Sequence, residues 1–198
     1  MTRPLVVIAG ETLGLGGAEK VTVDLANALH ESEAYRVHLI TTLAPGGLYA
    51  GQVAEGIGVS HAPDREAFVA EIASLKPDGL LLNNCRLAKG CTARILAAHR
   101  PRYLGFFLHG FSSYSMDLLP PALPPGAEVL TISREAKKGI LELRPDIPRT
   151  AVSVLANAVD VHRFRPLDEG QEPWVPVFER GAGPVFGYAG RFSGEKAL

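Results

Sequence analysis

The residues best placed to do chemistry fall into four groups. Gly14-Leu15-Gly16-Gly17-Ala18-Glu19 is a glycine-rich turn between an apolar run, Leu5 to Ala9, and a stretch with helical spacing from Gly17 to Leu29. Backbone without Cβ atoms lets a ligand come close, and the free N–H groups of a first helical turn favour an anion such as phosphate. The same turn also serves to pack helix on strand, and short glycine motifs alone do not separate the two uses. No G-x-G-x-x-G can be read, so the nicotinamide fingerprint is absent. His109-Gly110 follows the apolar run Tyr103–Leu108, where a strand-end imidazole can bond a backbone carbonyl. Asn83 closes another apolar run, and Ser133 closes a third. Between Arg86 and Met116 there is no acid, while Arg86, Lys89, Arg94, Arg100 and Arg102 are basic. Such a stretch can meet a phosphorylated ligand or anionic lipid headgroups; a solvated helix face is the commoner outcome.

These groups need a scaffold, and the apolar pattern supplies one. Strands are expected at Leu5–Ala9, Tyr35–Thr41, Ile57–Val59, Gly79–Asn83, Tyr103–Leu108, Glu128–Ile132 and Val152–Leu155. Between them lie helical stretches: Gly17–Leu29 with a stripe of Val21, Leu25, Ala28 and Leu29, one carrying Phe68, Ile72 and Leu75 that Pro77 ends, one carrying Leu87, Cys91, Ile95 and Leu96, and Arg134–Leu143 with Ser133 as N-cap. Ser112, Ser113, Tyr114 and Ser115 read as loop. Runs apolar at every position need cover on both faces. Alternating strand and helix therefore predicts a doubly wound, Rossmann-like α/β fold with a mostly parallel sheet. Right-handed crossovers then gather the glycine turn, Asn83, His109 and Ser133 at one edge, where open α/β sheets bind ligands.

Composition narrows the class. With 46% hydrophobic and 21% charged residues, 198 residues can bury a real core, and a net charge of −1 gives no electrostatic case for nucleic acid. No run reaches the ~18 apolar residues of a membrane span, and no signal peptide is evident, so the default compartment is the cytoplasm. Cys85 and Cys91 match neither a disulfide framework nor a zinc pattern. From Asp168 the texture changes: Gly170, Pro173, Pro176, Gly181 and Gly183 interrupt a polar stretch. The expected organisation is a domain over 1–167, a linker over 168–184, and the opening strand of a truncated second domain over 185–198.

Three separated stretches carry a resemblance. Gly16-Gly17-Ala18-Glu19 opens the first helix, and Asn157-Ala158-Val159-Asp160 with Phe164-Arg165-Pro166 resembles an "NGVD…FxP" connector, with alanine where glycine is usual. Gly190-Arg191-Phe192-Ser193-Gly194-Glu195-Lys196 resembles a "GRLxxxKG" loop. In this order and spacing they resemble the N-terminal half of a retaining GT-B glycosyltransferase of family 4. The resemblance implies a two-domain enzyme with a cleft between domains. The first domain holds a glycan, lipid or small-molecule acceptor. The second, whose acidic sugar-binding motif is absent from this sequence, holds a nucleotide-diphosphate sugar as co-substrate. No metal or other cofactor is implied, and membrane contact would be peripheral, at the inner face.

Under that resemblance His109, Arg191 and Lys196 are catalytic candidates, His109 as a neutral imidazole that bonds a hydroxyl of the transferring sugar. Arg191 and Lys196 would bind the leaving diphosphate and, with Gly14, Gly16 and Gly17, the donor's phosphates. Fixed cations there stabilise the charge that grows as the sugar becomes oxocarbenium-like. Asn83, Ser112 and Asn157 are the acceptor-side candidates. A nucleotide-sugar epimerase of GT-B type and a non-catalytic nucleotide- or sugar-binding module are the competing readings. The chain by itself is expected to be inactive in transfer, because one wall of a cleft does not hold donor and acceptor together.

Overall fold

The computed structural model describes residues 2–161 and 164–166. The compact unit of residues 1–158 carries every element named here. The expected linker and the strand from Val185, with Arg191 and Lys196, lie outside the described residues.

Among the described residues, seven strands form one all-parallel sheet: β1 (Leu5–Gly10), β2 (Arg36–Thr41), β3 (Gly58–His61), β4 (Gly79–Asn83), β5 (Tyr103–Leu108), β6 (Glu128–Thr131) and β7 (Val152–Val154). Their order across the sheet is β3-β2-β1-β4-β5-β6-β7. The chain thus winds outward one way from β1 and the other way from β4. The order reverses between β1 and β4, so the loops after these two strands diverge and leave a crevice at their carboxyl ends. The sequence predicts that the candidate groups share an edge; the strand order adds that the glycine turn and Asn83 flank this crevice.

Among the same residues, five helices cover the sheet: α1 (Gly17–Glu31), α2 (Arg65–Leu75), α3 (Arg86–Ala98), α4 (Ser113–Asp117) and α5 (Arg134–Leu143). The two faces are unequally covered. On one, Val7, Leu80, Leu82, Phe106 and Leu108 pack with Phe68, Ile72, Ile95 and Ile140 from α2, α3 and α5. On the other, Ile8, Leu39, Leu81 and Phe107 meet Val23 and Ala26 of α1 alone among the five helices. The expected stripe on α1 is present in part: Val21, Leu25 and Leu29 are half-buried against this core. Thr22, Val23 and Ala26 are the fully buried residues, whereas Val21, Leu25 and Ala28 line an open cavity of about 150 Å³ beside Leu155.

Local signals set the element ends. Asp64 Oδ1 accepts the Ala67 N–H and Ser133 Oγ accepts the Ala136 N–H, two N-caps that fix the starts of α2 and α5. Lys76, in left-handed conformation at φ 47°, ends α2 just before Pro77. One expected loop is a helix: Ser112 Oγ caps α4, so the serines after His109 start a short turn of helix. The third strand is displaced from Ile57–Val59 to Gly58–His61, paired in register with His38–Thr41.

Candidate functional site

The site grows from the ends of β1, β4 and β5. Side chains alternate along a strand, so Asn83 shares the α1 face with Leu81, and His109 shares it with Phe107. Asn83 therefore meets the first turn of α1. Its Nδ2 donates to the Ala18 carbonyl (3.2 Å) and to Thr22 Oγ1 (2.5 Å), and the Thr22 hydroxyl in turn donates to the Ala18 carbonyl (2.9 Å).

This geometry dictates the protonation of His109. A carbonyl oxygen only accepts, so the Asn83 amide must turn its NH₂ to Ala18 and its Oδ1 to His109, 2.7 Å from Nε2. Nε2 must then carry the proton. Burial holds the His109 pKa down at about 4, so the ring is neutral near pH 7. In a neutral ring protonated at Nε2, Nδ1 keeps its lone pair. Among the described residues nothing bonds Nδ1, and the ring is steadied by Phe107 at 4.6 Å between centroids. His109 is thus a fixed, uncharged hydrogen-bond acceptor at the carboxyl edge.

The glycine turn lies across Asn83 and Thr22 from this histidine. Gly14 donates its N–H to Thr12 Oγ1 at 2.8 Å, so that amide is already engaged and does not point an N–H at a ligand. Among the described residues no hydrogen bond engages the N–H of Gly16 or Gly17. A Cβ at Gly17 would meet nothing within 4 Å, so the chain is open on that side of Gly17. Glu19 folds back over Gly16. The turn is shaped from behind by Gly47, a residue that reads in the sequence only as part of a chain break. Gly47 has φ 152°, and a Cβ there would lie 2.3 Å from the Leu13 carbonyl carbon and 2.4 Å from Gly14 N. Hydrogen bonds from Leu13 N–H to Gly46 O and from Tyr49 N–H to Leu13 O complete the contact.

Ser112 and Asn157 take different positions. Ser112 Oγ is committed to capping α4. Asn157 lines the cavity of about 150 Å³ with Val21, Leu25 and Phe107, and the Phe107 ring packs against His109. Two further residues that the sequence leaves unassigned, Asn84 and Glu11, sit at this edge. Asn84 adopts φ 46° directly after Asn83, and its buried Oδ1 has no hydrogen-bond partner among the described residues. Glu11, just past β1, accepts from Arg86 Nε at 2.8 Å, and the Arg86 guanidinium lies over the Tyr114 ring at 5.4 Å. A positive φ and an orphan acceptor have no signature in a single sequence beyond asparagine's tolerance of that conformation.

The basic stretch does not act as one patch. Arg86 pairs with Glu11, Lys89 with Asp117 and Arg94 with Glu66, all acids from outside the stretch. Arg100 and Arg102 have no acidic partner among the described residues. Cys85 and Cys91 are buried, and burial pushes their thiols up to about 12 and about 11, which makes them packing groups. Among the described residues no group of three His, Cys, Asp or Glu is placed to hold a metal ion, and no helix is long and apolar enough to cross a membrane.

No family model matches this sequence, and no curated protein matches it. Among solved structures, the chain is similar to the apo form of a lipopolysaccharide outer core galactosyltransferase, WaaB, with a TM-score of 0.53 and 14% identity over 79% of this chain and 46% of that one. The chain therefore spans about half the length of that enzyme. It is also similar to the Bordetella bronchiseptica enzyme WbmH in complex with NAD+, at a TM-score of 0.44 and 12% identity over 66% of this chain and 55% of that one, too distant to define a shared fold. The parallel sheet, its winding and the first of these likenesses define a GT-B-like, Rossmann-like α/β fold.

Proposed function

We propose that this chain is the acceptor-side part of a family 4 type glycosyltransferase, which moves a sugar from a nucleotide-diphosphate sugar to a glycan, lipid or small-molecule acceptor with retention. The observation that carries the reading is the bridge His109–Asn83–Thr22. It fixes an uncharged imidazole acceptor at the crevice, beside a glycine turn whose Gly16 and Gly17 amides carry no hydrogen bond among the described residues. A sugar diphosphate presents both matching groups, hydroxyls for Nδ1 and phosphate oxygens for the amides.

In this proposal the bond between the sugar's anomeric carbon and the diphosphate breaks. The acceptor oxygen bonds the same face of that carbon, and its proton passes to the departing phosphate oxygen. Gly16 and Gly17 hold the diphosphate, and His109 Nδ1 accepts from a hydroxyl of the transferring sugar. Arg191 and Lys196, outside the described residues, are proposed to neutralise the leaving group.

The test is to titrate a panel of uridine, guanosine and adenosine diphosphate sugars into this chain and into the protein extended by its downstream coding sequence. Acceptor-dependent release of nucleoside diphosphate is then followed. The extended protein should turn over one donor, the chain alone should not, and His109→Gln should lower kcat by ~10–100-fold, the worth of a strong hydrogen bond. An extended protein that neither binds nor turns over any nucleotide sugar refutes the proposal.

A further inference from the structure

Phe111 stands two residues beyond His109, between β5 and α4, and is 49% exposed. Single exposed apolar side chains usually need no explanation. This one is seated. A Cβ built at Gly139 would lie 2.4 Å from Phe111 Cδ2 and 2.6 Å from Cγ, so the ring rests on α5 where that helix has no side chain. Glycine is the poorest helix former after proline, yet it occupies the buried interior of α5, and the ring is what it makes room for. The flanking backbone is held as well, by His109 on Asn83 and by Ser112 at the cap of α4. One helical turn on, Tyr114 is 44% exposed beneath the Arg86 guanidinium.

We infer that Phe111 is the platform on which a sugar ring of the acceptor lies. The inference rests on the sugar-transfer reading and names the chemical class of its acceptor as a saccharide. A pyranose has a face of polarised C–H bonds and a rim of hydroxyls. The C–H face suits the negative face of an aromatic ring, and Phe111 stands two residues beyond His109, which is proposed to hold the transferring sugar, so the platform is beside the donor as an acceptor's must be. An acyl or isoprenoid chain calls for a long apolar groove. The apolar cavity of about 460 Å³ lined by Val6, Gly79, Leu81 and Tyr103 reaches the amino ends of the strands and counts neither Phe111 nor His109 among its lining residues.

The experiment is saturation-transfer NMR on the 198-residue chain with the methyl glycosides of glucose, galactose, mannose and N-acetylglucosamine, and with adenosine and uridine monophosphate as base-bearing controls. Saturation of sugar C–H protons is expected for the wild type and Phe111→Trp, and a loss of about 5- to 10-fold in Phe111→Ala. Gly139→Ala keeps the ring's chemistry but displaces it, and should weaken the sugar signal to a similar extent while circular dichroism shows an intact fold. Sugar saturation that survives both Phe111→Ala and Gly139→Ala, or saturation of the bases in place of the sugars, overturns the inference. Kinetics of the extended protein separate it from the transfer reading. Turnover with an unchanged acceptor KM in Phe111→Ala removes the platform and leaves transfer standing. Sugar saturation that disappears in Phe111→Ala, in a protein that turns over no nucleotide sugar, leaves the platform and removes transfer.

Discussion

Asn83→Ala takes out the centre of the bridge, and the structure sets the size of the effect. Three hydrogen bonds disappear, one from His109 Nε2 and two from Asn83 Nδ2. Thr22 loses little, because its hydroxyl keeps the Ala18 carbonyl. His109 loses most: its Nε2–H is left half-buried without an acceptor. Each net hydrogen bond contributes about 0.5–1.5 kcal/mol and an orphaned buried donor costs about 1–3 kcal/mol, so a destabilisation of roughly 2–4 kcal/mol is expected. For a chain of this size that lowers Tm by about 5–15 °C. Urea unfolding gives the free energy, and ¹⁵N NMR of the imidazole gives the tautomer, which should change from protonated Nε2 to a mixture. Asn83→Asp sharpens the test. A carboxylate still accepts from Nε2 but cannot donate to Ala18, and its charge should raise the His109 pKa from about 4. A loss below about 0.5 kcal/mol in Asn83→Ala, within the scatter of ordinary surface changes, with the tautomer unaltered, would refute the claim that Asn83 sets the state of His109.

Other outcomes follow from the same geometry. The folded His109 pKa is depressed from 6.5 to about 4. The unfolded chain therefore takes up this proton first as pH falls. The stability from a neutral His109 is complete above pH ~6.5, erodes between ~6.5 and ~4, and changes no further below. After discounting for the ring's partial exposure this amounts to about 2 kcal/mol, read as the difference between wild type and His109→Gln in urea titrations across that range. Gly47→Ala meets backbone at 2.3 and 2.4 Å on top of its positive φ, and should cost about 3 kcal/mol or more in chemical denaturation; a wild-type midpoint would show that the turn does not depend on that close approach. Gly17→Ala, with open space around its new methyl, should leave stability within about 1 kcal/mol, while Gly17→Val should weaken nucleotide-sugar binding in calorimetry. Cys85 and Cys91 should resist a thiol reagent at pH 8 in the folded chain and react fully in urea, since burial raises both.

Much of the scaffold is legible in the sequence because its strands are short apolar runs between punctuating residues. Gly79–Asn83 and Tyr103–Leu108 begin and end where their apolar patterns predict, and Ser133 caps the helix that its position before Arg134 predicts. Strand order is not legible. No local pattern says that β1 lies beside β4, and the crevice that gives Asn83 and the glycine turn a common edge depends on it. Within the site, His109 and Asn83 stand out as polar residues closing apolar runs. Thr22 does not, because a threonine inside a helix is usually a neutral choice and its value here comes from a partner 61 residues away. Gly47 escapes notice because its conformation and the backbone it touches are tertiary facts. Arg86 reads as one of a set of like charges because its partner, Glu11, belongs to a different loop.

The pairing of β1 with β4 also bears on how the chain is made. The Leu5 N–H is accepted by the Asp78 carboxylate, a separation of 73 residues. Val6 to Ala9 then pair with Gly79 to Leu82. At ~5–20 residues per second of synthesis, β1 waits about 4–15 s for its second neighbour. Once β2 is made, for the rest of that interval the most apolar strand of the sheet has β2 on one side and an open row of N–H and C=O groups on the other, the template on which foreign strands add. The nascent chain is thus most exposed to mispairing between the release of β2 and the release of β4, and slowing translation inside that window should raise aggregation more than an equal pause placed after Asn83.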